Sequence, residues 1–214
     1  MFHLFSARED ADKNSGFVVP QSLVAPEGFA ALTLRTMRAS DCSEWSAMRL
    51  HNNEWLKPWD SGDPMNGPAI TYDQWLARQR RAEKRGQGVQ FLMVHHGQLV
   101  GQISLGAICY GSMRTATAGY WVDRRQAGHG FAPLALAMMA DWALRDPDGP
   151  RLHRIEIAIL PENHRSRRVV EKLGIPLEGV RRSYMYVAGA WRDHEVYALL
   201  KDDVKGKVID RLRS

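Results

Sequence analysis

Cysteine is scarce in this chain, and its scarcity excludes two architectures. Only Cys42 and Cys109 occur among 214 residues, far apart and outside any C-x-x-C spacing, so neither a disulfide framework nor a zinc site is expected. No metal is expected, and the setting is expected to be reducing and cytoplasmic. Long apolar runs are missing as well: the longest, near residues 131–144, is too short for a membrane span and carries Asp141. Residues 1–10 show no continuous apolar stretch behind a basic start, which excludes a secretory signal. There is no internal repeat, no low-complexity tract, no long lysine-rich tail and no Gly-Lys-Ser/Thr of a nucleotide P-loop.

What is present describes a soluble globular chain, 44% hydrophobic and 25% charged, long enough for one domain with an appendage. The net charge of +5 suits an anionic partner, either a phosphorylated cofactor or the surface of a ribonucleoprotein, and does not choose between them. Two local basic clusters, residues 78–85 and 165–168, read more commonly as solvated helix faces than as nucleic-acid sites. No direct sequence-specific nucleic-acid binding is expected.

Residues 1–25, with mixed charge, Gly16 and Pro20, read as an N-terminal extension, loose or packed on the surface. Residues 26–204 form the domain and 205–214 a C-terminal tail. Leu32 to Met37 suggest a first strand, and Ser40-Asp41 with Glu44 looks like a helix N-cap leading to Trp45 and Met48 on one face. An irregular loop follows through Pro58, Gly62, Pro64, Gly67 and Pro68; Thr71-x-x-Gln74 is a capping box opening a second helix to about Lys84. Residues 89–95 and 99–105 read as a hairpin across His96-Gly97-Gln98, and 115–122 as another strand. A helix from Phe131 precedes a turn at 146–150 and the alternating strand Ile155, Ile157, Ile159. After a helix over 163–173, residues 184–187 and 194–200 form a closing hairpin around Gly189. Helices thus pack on a mixed α/β, mostly antiparallel sheet.

Two strings carry chemistry. Arg125-Gln126-Ala127-Gly128-His129-Gly130 lies between the strand-like Ala118 to Val122 and the helix opening at Phe131. Unpaired N–H groups at a helix start, approached closely over glycines, make a cradle for a pyrophosphate; an ordinary glycine-rich turn is the alternative. Downstream, Pro161-Glu162-Asn163-His164-Arg165-Ser166 leads into a helix that stops at Leu173-Gly174, with Glu178-Gly179 following. The order strand, R-x-x-G-x-G, helix, strand, P-E-N-x-x-S, helix, E-K-L-G, E-G resembles the GNAT superfamily of acyl-CoA-dependent N-acyltransferases. Within it, His51-Asn52-Asn53-Glu54-Trp55-Leu56-Lys57-Pro58-Trp59-Asp60 looks like the acceptor segment of the ribosomal-protein alanine N-acetyltransferases. The resemblance covers roughly residues 32–200.

The resemblance implies roles residue by residue. Trp121 and Val122 would meet the pantetheine arm of acetyl-CoA, with the Val122 N–H as oxyanion donor. Arg125, Gln126, Ala127, Gly128, His129, Gly130, Phe131 and Ala132 would hold the pyrophosphate, Arg125 adding charge and His129 contributing only backbone. Asn163 would bond the pantetheine or cap its own helix, or both. Ser166 would protonate the departing thiolate, because Val170 stands where many relatives carry a tyrosine; support of the first helical turn is the alternative. No carboxylate stands in Thr115-Ala116-Thr117-Ala118, where relatives often carry a base, which leaves Glu156 as the candidate, or else a structural ion pair with an arginine. A free α-amine, with a pKa near ~8, needs no strong base. Trp55, Trp59 and Asp60 would line the acceptor cleft, and Tyr184 its rim with Arg181, Arg182 and Asp193; loop packing and surface ion pairs are the alternatives.

The expectation is therefore an acetyl-CoA-dependent N-acetyltransferase acting on a protein N-terminal amine, such as that of a ribosomal protein, as a monomer or homodimer. Two readings stay open beside it. One is an acetyltransferase for a small amine such as a polyamine, amino acid or aminoglycoside. The other, permitted by the missing carboxylate and tyrosine, is a catalytically weak acyl-CoA-binding regulatory module.

Overall fold

Period-two alternation of apolar residues builds one eight-stranded sheet in the computed structural model, which describes residues 17–65, 67 and 70–213. Its strands are β1 (Ser22–Val24), β2 (Leu32–Thr36), β3 (Val89–His95), β4 (Gln98–Cys109), β5 (Thr115–Val122), β6 (Arg154–Ile159), β7 (Leu177–Val187) and β8 (Ala190–Leu200). They run in the order β1-β2-β3-β4-β5-β6-β8-β7, and every neighbouring pair is antiparallel except β5 with β6. Among the described residues five α-helices accompany the sheet: α1 (Cys42–His51), α2 (Asn53–Leu56), α3 (Tyr72–Lys84), α4 (Phe131–Arg145) and α5 (His164–Lys172). The expected mixed, mostly antiparallel α/β architecture is the one found.

Both faces of the sheet are covered, and β3 shows how. Phe91 and Met93 join the large core with α4 and α5, whereas Leu92 joins a smaller cluster with Met48 of α1 and Leu76 of α3. Trp45 and Trp75 stack over that second cluster, ring centroids 4.9 Å apart. α4 is apolar nearly all round because it runs through the large core. Its one acid, Asp141, is satisfied there by the N–H groups of Val208 and Ile209 at 2.6 and 3.2 Å. Burial raises the Asp141 pKa, partly offset by those two donors. Among the described residues, no helix is long and apolar enough to cross a membrane.

Several boundaries differ from expectation. Within the stretch read as an extension, β1 pairs with β2 and Phe17 is buried edge-to-face against Trp142; residues 1–16 lie outside the described residues. Within the stretch read as a tail, Val208 and Ile209 are buried in the large core. Sheet pairing of β1 and a few buried residues, Phe17, Val208 and Ile209, hold these segments, and stretches with so few buried positions carry no period to read. Asp41 does not cap α1: its carboxylate takes both guanidinium nitrogens of Arg35 at 2.8 Å and the Arg38 N–H at 2.7 Å. The bidentate pair with Arg35 and the Arg38 N–H occupy this carboxylate, and it makes no bond to an N–H of α1. The Thr71–Gln74 capping box forms as read.

The feature that positions the site is a gap in the sheet. β5 and β6 pair only where residues Thr115, Ala116 and Thr117 meet Arg154, Ile155 and Glu156. Beyond that point both strands continue and diverge, leaving a wedge between the second half of β5 and the end of β6.

Candidate active site

The wedge exposes backbone. Val122 stands opposite Gly101 on β4, while the Asp123 N–H donates to Val100 at 2.9 Å. In an antiparallel ladder alternate residues turn their N–H groups to opposite sides, so the N–H of Val122 points away from β4 and into the wedge. Gly101 permits the close approach of β4, since a Cβ there would run into the carbonyl oxygen of Trp121.

A cleft of about 540 Å³ follows the wedge. One wall is β5 with Tyr120, Trp121 and Val122; the floor is the turn from Gln126 to Ala132. Gly128 and Gly130 are left-handed there (φ 89° and 78°), and among the described residues none beyond the adjacent ones in the chain comes within 4 Å of the position a Cβ would take on either. The opposite wall is the first turns of α5, where Asn163 caps the helix by accepting the Ser166 N–H at 3.1 Å. Arg165, Arg168 and Lys172 add positive charge along that wall, and α2 with Trp55, Trp59 and Asp60 closes the mouth. Open space over an N–H-rich loop, an apolar wall and a basic rim suit an elongated ligand with phosphates at one end.

The structure brings together thirteen of the expected residues: Trp121, Val122, Gln126, Ala127, Gly128, Gly130, Phe131, Ala132, Asn163, Ser166, Trp55, Trp59 and Asp60 all line this cleft. Four others are held elsewhere. The Arg125 guanidinium is tied to Asp123 at 2.5 Å rather than turned into the cleft. Burial raises the Asp123 pKa, but Arg125, a backbone N–H and Asn52 together bring it below its ordinary value. The His129 ring runs parallel to Phe131, centroids 5.9 Å apart, with Nδ1 3.2 Å from the Gln126 carbonyl oxygen, and the residue is not among those lining the cleft.

Glu156 is not a free base. Its carboxylate takes Arg154 at 2.9 Å and Arg181 at 2.8 Å, on the sheet face opposite Ile155 and Ile157. Burial pushes its pKa up, and the two guanidinium groups more than reverse this, leaving it below the ordinary value. Tyr184 belongs to the same cluster: its hydroxyl accepts from Arg181 at 2.9 Å, under a guanidinium 4.9 Å from its ring. Asp193 accepts the Ser183 N–H at 2.8 Å and so braces the hairpin. Asp60, although at the cleft, is paired with Arg49 at 2.7 Å. The Trp55 ring carries the Arg165 guanidinium at 4.0 Å and that of Arg124 at 5.6 Å.

Three residues matter that sequence reasoning left unassigned. Asn52 is fully buried; its Oδ1 accepts the Arg124 N–H at 2.8 Å and its Nδ2 donates to the Met48 carbonyl at 2.9 Å. It thereby fastens the α1–α2 junction to the start of the glycine loop, and nothing in His51-Asn52-Asn53 separates it from its neighbour. Asp123, also buried, caps the 3-10 turn Arg124–Gln126 through the Arg125 N–H at 3.0 Å. Tyr120 sits with its hydroxyl 2.9 Å from Ser166 Oγ. Strand alternation places it on the core side, which reads as packing. Among the described residues, no group of three or more His, Cys, Asp or Glu is placed to hold a metal ion.

Known proteins are similar to this chain in sequence and in fold. An alanine N-acetyltransferase of ribosomal protein uS5 from Escherichia coli (strain K12) is 26% identical over 178 residues, 80% of this chain and 89% of that protein. The structure of Mycobacterium smegmatis RimJ in complex with CoA-disulfide superposes with a TM-score of 0.79 at 31% identity, covering 90% of this chain and 91% of that one. That of the ribosomal-protein-S5-alanine acetyltransferase from Vibrio fischeri gives 0.71 at 26% identity, covering 86% and 100%. Residues 31–175 match the family model of the acetyltransferase (GNAT) domain, and the chain belongs to that family of acetyltransferases.

Proposed function

We propose that this acetyltransferase transfers the acetyl group of acetyl-CoA to the α-amine of a protein N-terminus, with a ribosomal protein as the acceptor class. The observation that carries the reading is the convergence on one cleft of the wedge-facing Val122 N–H, the Gly128–Gly130 loop and the Ser166 hydroxyl. When bound, acetyl-CoA supplies an activated acetyl group as a thioester. The loop N–H groups and the basic rim bind its phosphates, and the Val122 N–H stabilises the carbonyl oxygen as charge develops. The Ser166 Oγ–H is the proton donor for the departing sulfur. With Glu156 held by two arginines, the amine gives its proton to water, which its pKa of ~8 allows.

Two observations favour a peptide α-amine. The relatives named above include acetyltransferases of ribosomal-protein alanine. Among the described residues lining the cleft, Asp60 is the one carboxylate, and Arg49 already neutralises it, so a polycation would find no counter-charge. Turnover measured by thiol release, with peptides bearing a small first residue against spermidine, tests the reading. The peptides should react far more efficiently, and Trp59→Ala should raise the peptide KM severalfold with acetyl-CoA binding unaltered. Preferred turnover of spermidine would overturn it.

A further inference from the structure

Tyr120 and Ser166 are, among the described residues lining the cleft, the two that carry hydroxyl groups, and they touch. The tyrosine oxygen lies 2.9 Å from Ser166 Oγ and 3.3 Å from the Ser166 carbonyl oxygen. The first distance is within the ordinary range of an O–H···O bond and the second is beyond it. Either oxygen can donate in the first bond; when the phenol donates to Oγ, the serine proton is free to face the cleft. Tyr120 reaches this place because β6 has already parted from β5 at residue 117, so the first turn of α5 fills the gap above it.

We propose that Tyr120 and Ser166 form one proton-donating unit, in which Ser166 delivers the proton and Tyr120 replaces it. The inference rests on the acetyl-transfer reading above. Because Oγ takes the phenolic proton as it gives up its own, no serine alkoxide forms. In the step the amine nitrogen bonds to the acetyl carbon, the carbon–sulfur bond breaks, and the sulfur takes the Ser166 proton as Oγ takes the Tyr120 proton. Water, which receives the amine proton, returns one to the phenolate, so the protons balance. Burial first, and then neighbouring Tyr197, raise the Tyr120 pKa against the opposing Ser166 bond, which keeps the donor fully protonated at working pH. Tyr120 is a positioning residue in this scheme, acting through Ser166.

Tyr120→Phe removes one oxygen and keeps the ring that packs on the core. Thiol release with a small-first-residue peptide and calorimetric acetyl-CoA affinity are measured for the wild type, Tyr120→Phe, Ser166→Ala and the double variant. Each single variant should lose about ten- to a hundredfold in kcat with acetyl-CoA affinity and peptide KM unchanged, and the double variant should lose no more than the worse single. A merely structural tyrosine would move affinity and thermal stability instead of kcat. Wild-type kcat in Tyr120→Phe, or single losses that multiply in the double variant, overturns the unit while leaving acetyl transfer standing. A wild type that releases no thiol with such peptides overturns the function reading, and the unit with it.

Discussion

At the scale of single residues the account turns on what each side chain is already bound to. Gly128 and Gly130 have left-handed backbones and nothing above them, so a β-branched side chain is strained at either position and fills the space the loop keeps open. Gly128→Val and Gly130→Val should each weaken acetyl-CoA binding at least about tenfold by calorimetry, with a backbone cost of about 1–2 kcal/mol. Unchanged affinity would remove the cradle. Glu156 makes the opposite case. Glu156→Gln should leave kcat within about twofold of wild type and cost on the order of 1–3 kcal/mol of stability. Its carboxyl is depressed below 4.5 in the folded chain, so the stabilisation is fully present above about pH 5 and is lost as pH falls through the folded value. The gap between wild type and variant in urea unfolding should accordingly be full at neutral pH and close on acidification. A hundredfold loss of kcat with stability intact would make Glu156 the base after all.

Elements were legible where their own residues carry a period, and less so where a partner defines them. The hairpin of β3 and β4 was readable because His96-Gly97 breaks two apolar runs, and Gly97 takes up a left-handed turn (φ 79°). β7 begins at Leu177, well before the expected residue 184, because it is the edge strand and leaves Leu177 and Val180 half exposed, so no alternation marks it. The glycine loop and the Asn163 cap announce themselves by residue type. The partners of Arg125, Glu156 and Asp60 do not: Arg181 is 25 residues from Glu156 in sequence, and only the β7–β8–β6 order brings them together. Asn52 is such a hidden joint, holding α1 and α2 to the loop through the Arg124 N–H. Asn52→Ala should cost about 1–3 kcal/mol by leaving the Arg124 N–H without its partner, while the Met48 carbonyl keeps the backbone N–H of residue 52 at 3.1 Å. Because Arg124 opens the loop, acetyl-CoA affinity should fall with it. A destabilised variant with wild-type affinity would show that the joint serves folding alone.

For the whole molecule, the sheet gap, the α5 cap and the loop before α4 place one cleft where the family fold and the local chemistry agree. The segments at both ends of the described chain contribute to the same core, with Phe17 on Trp142 and Val208–Ile209 on Asp141, so the scaffold behind the cleft extends beyond the family match at residues 31–175. The neutralised Asp60 and the aromatic mouth are the features on which the proposed acceptor, a singly charged amine on a chain end, rests. The most direct test of that claim is mass spectrometry of protein N-termini in cells with and without the gene. The account predicts that α-acetylation of one or a few proteins with a small first residue, ribosomal proteins among them, disappears on deletion and returns with the wild-type gene but not with Gly128→Val. Unchanged N-termini alongside the loss of an acetylated small amine would contradict it.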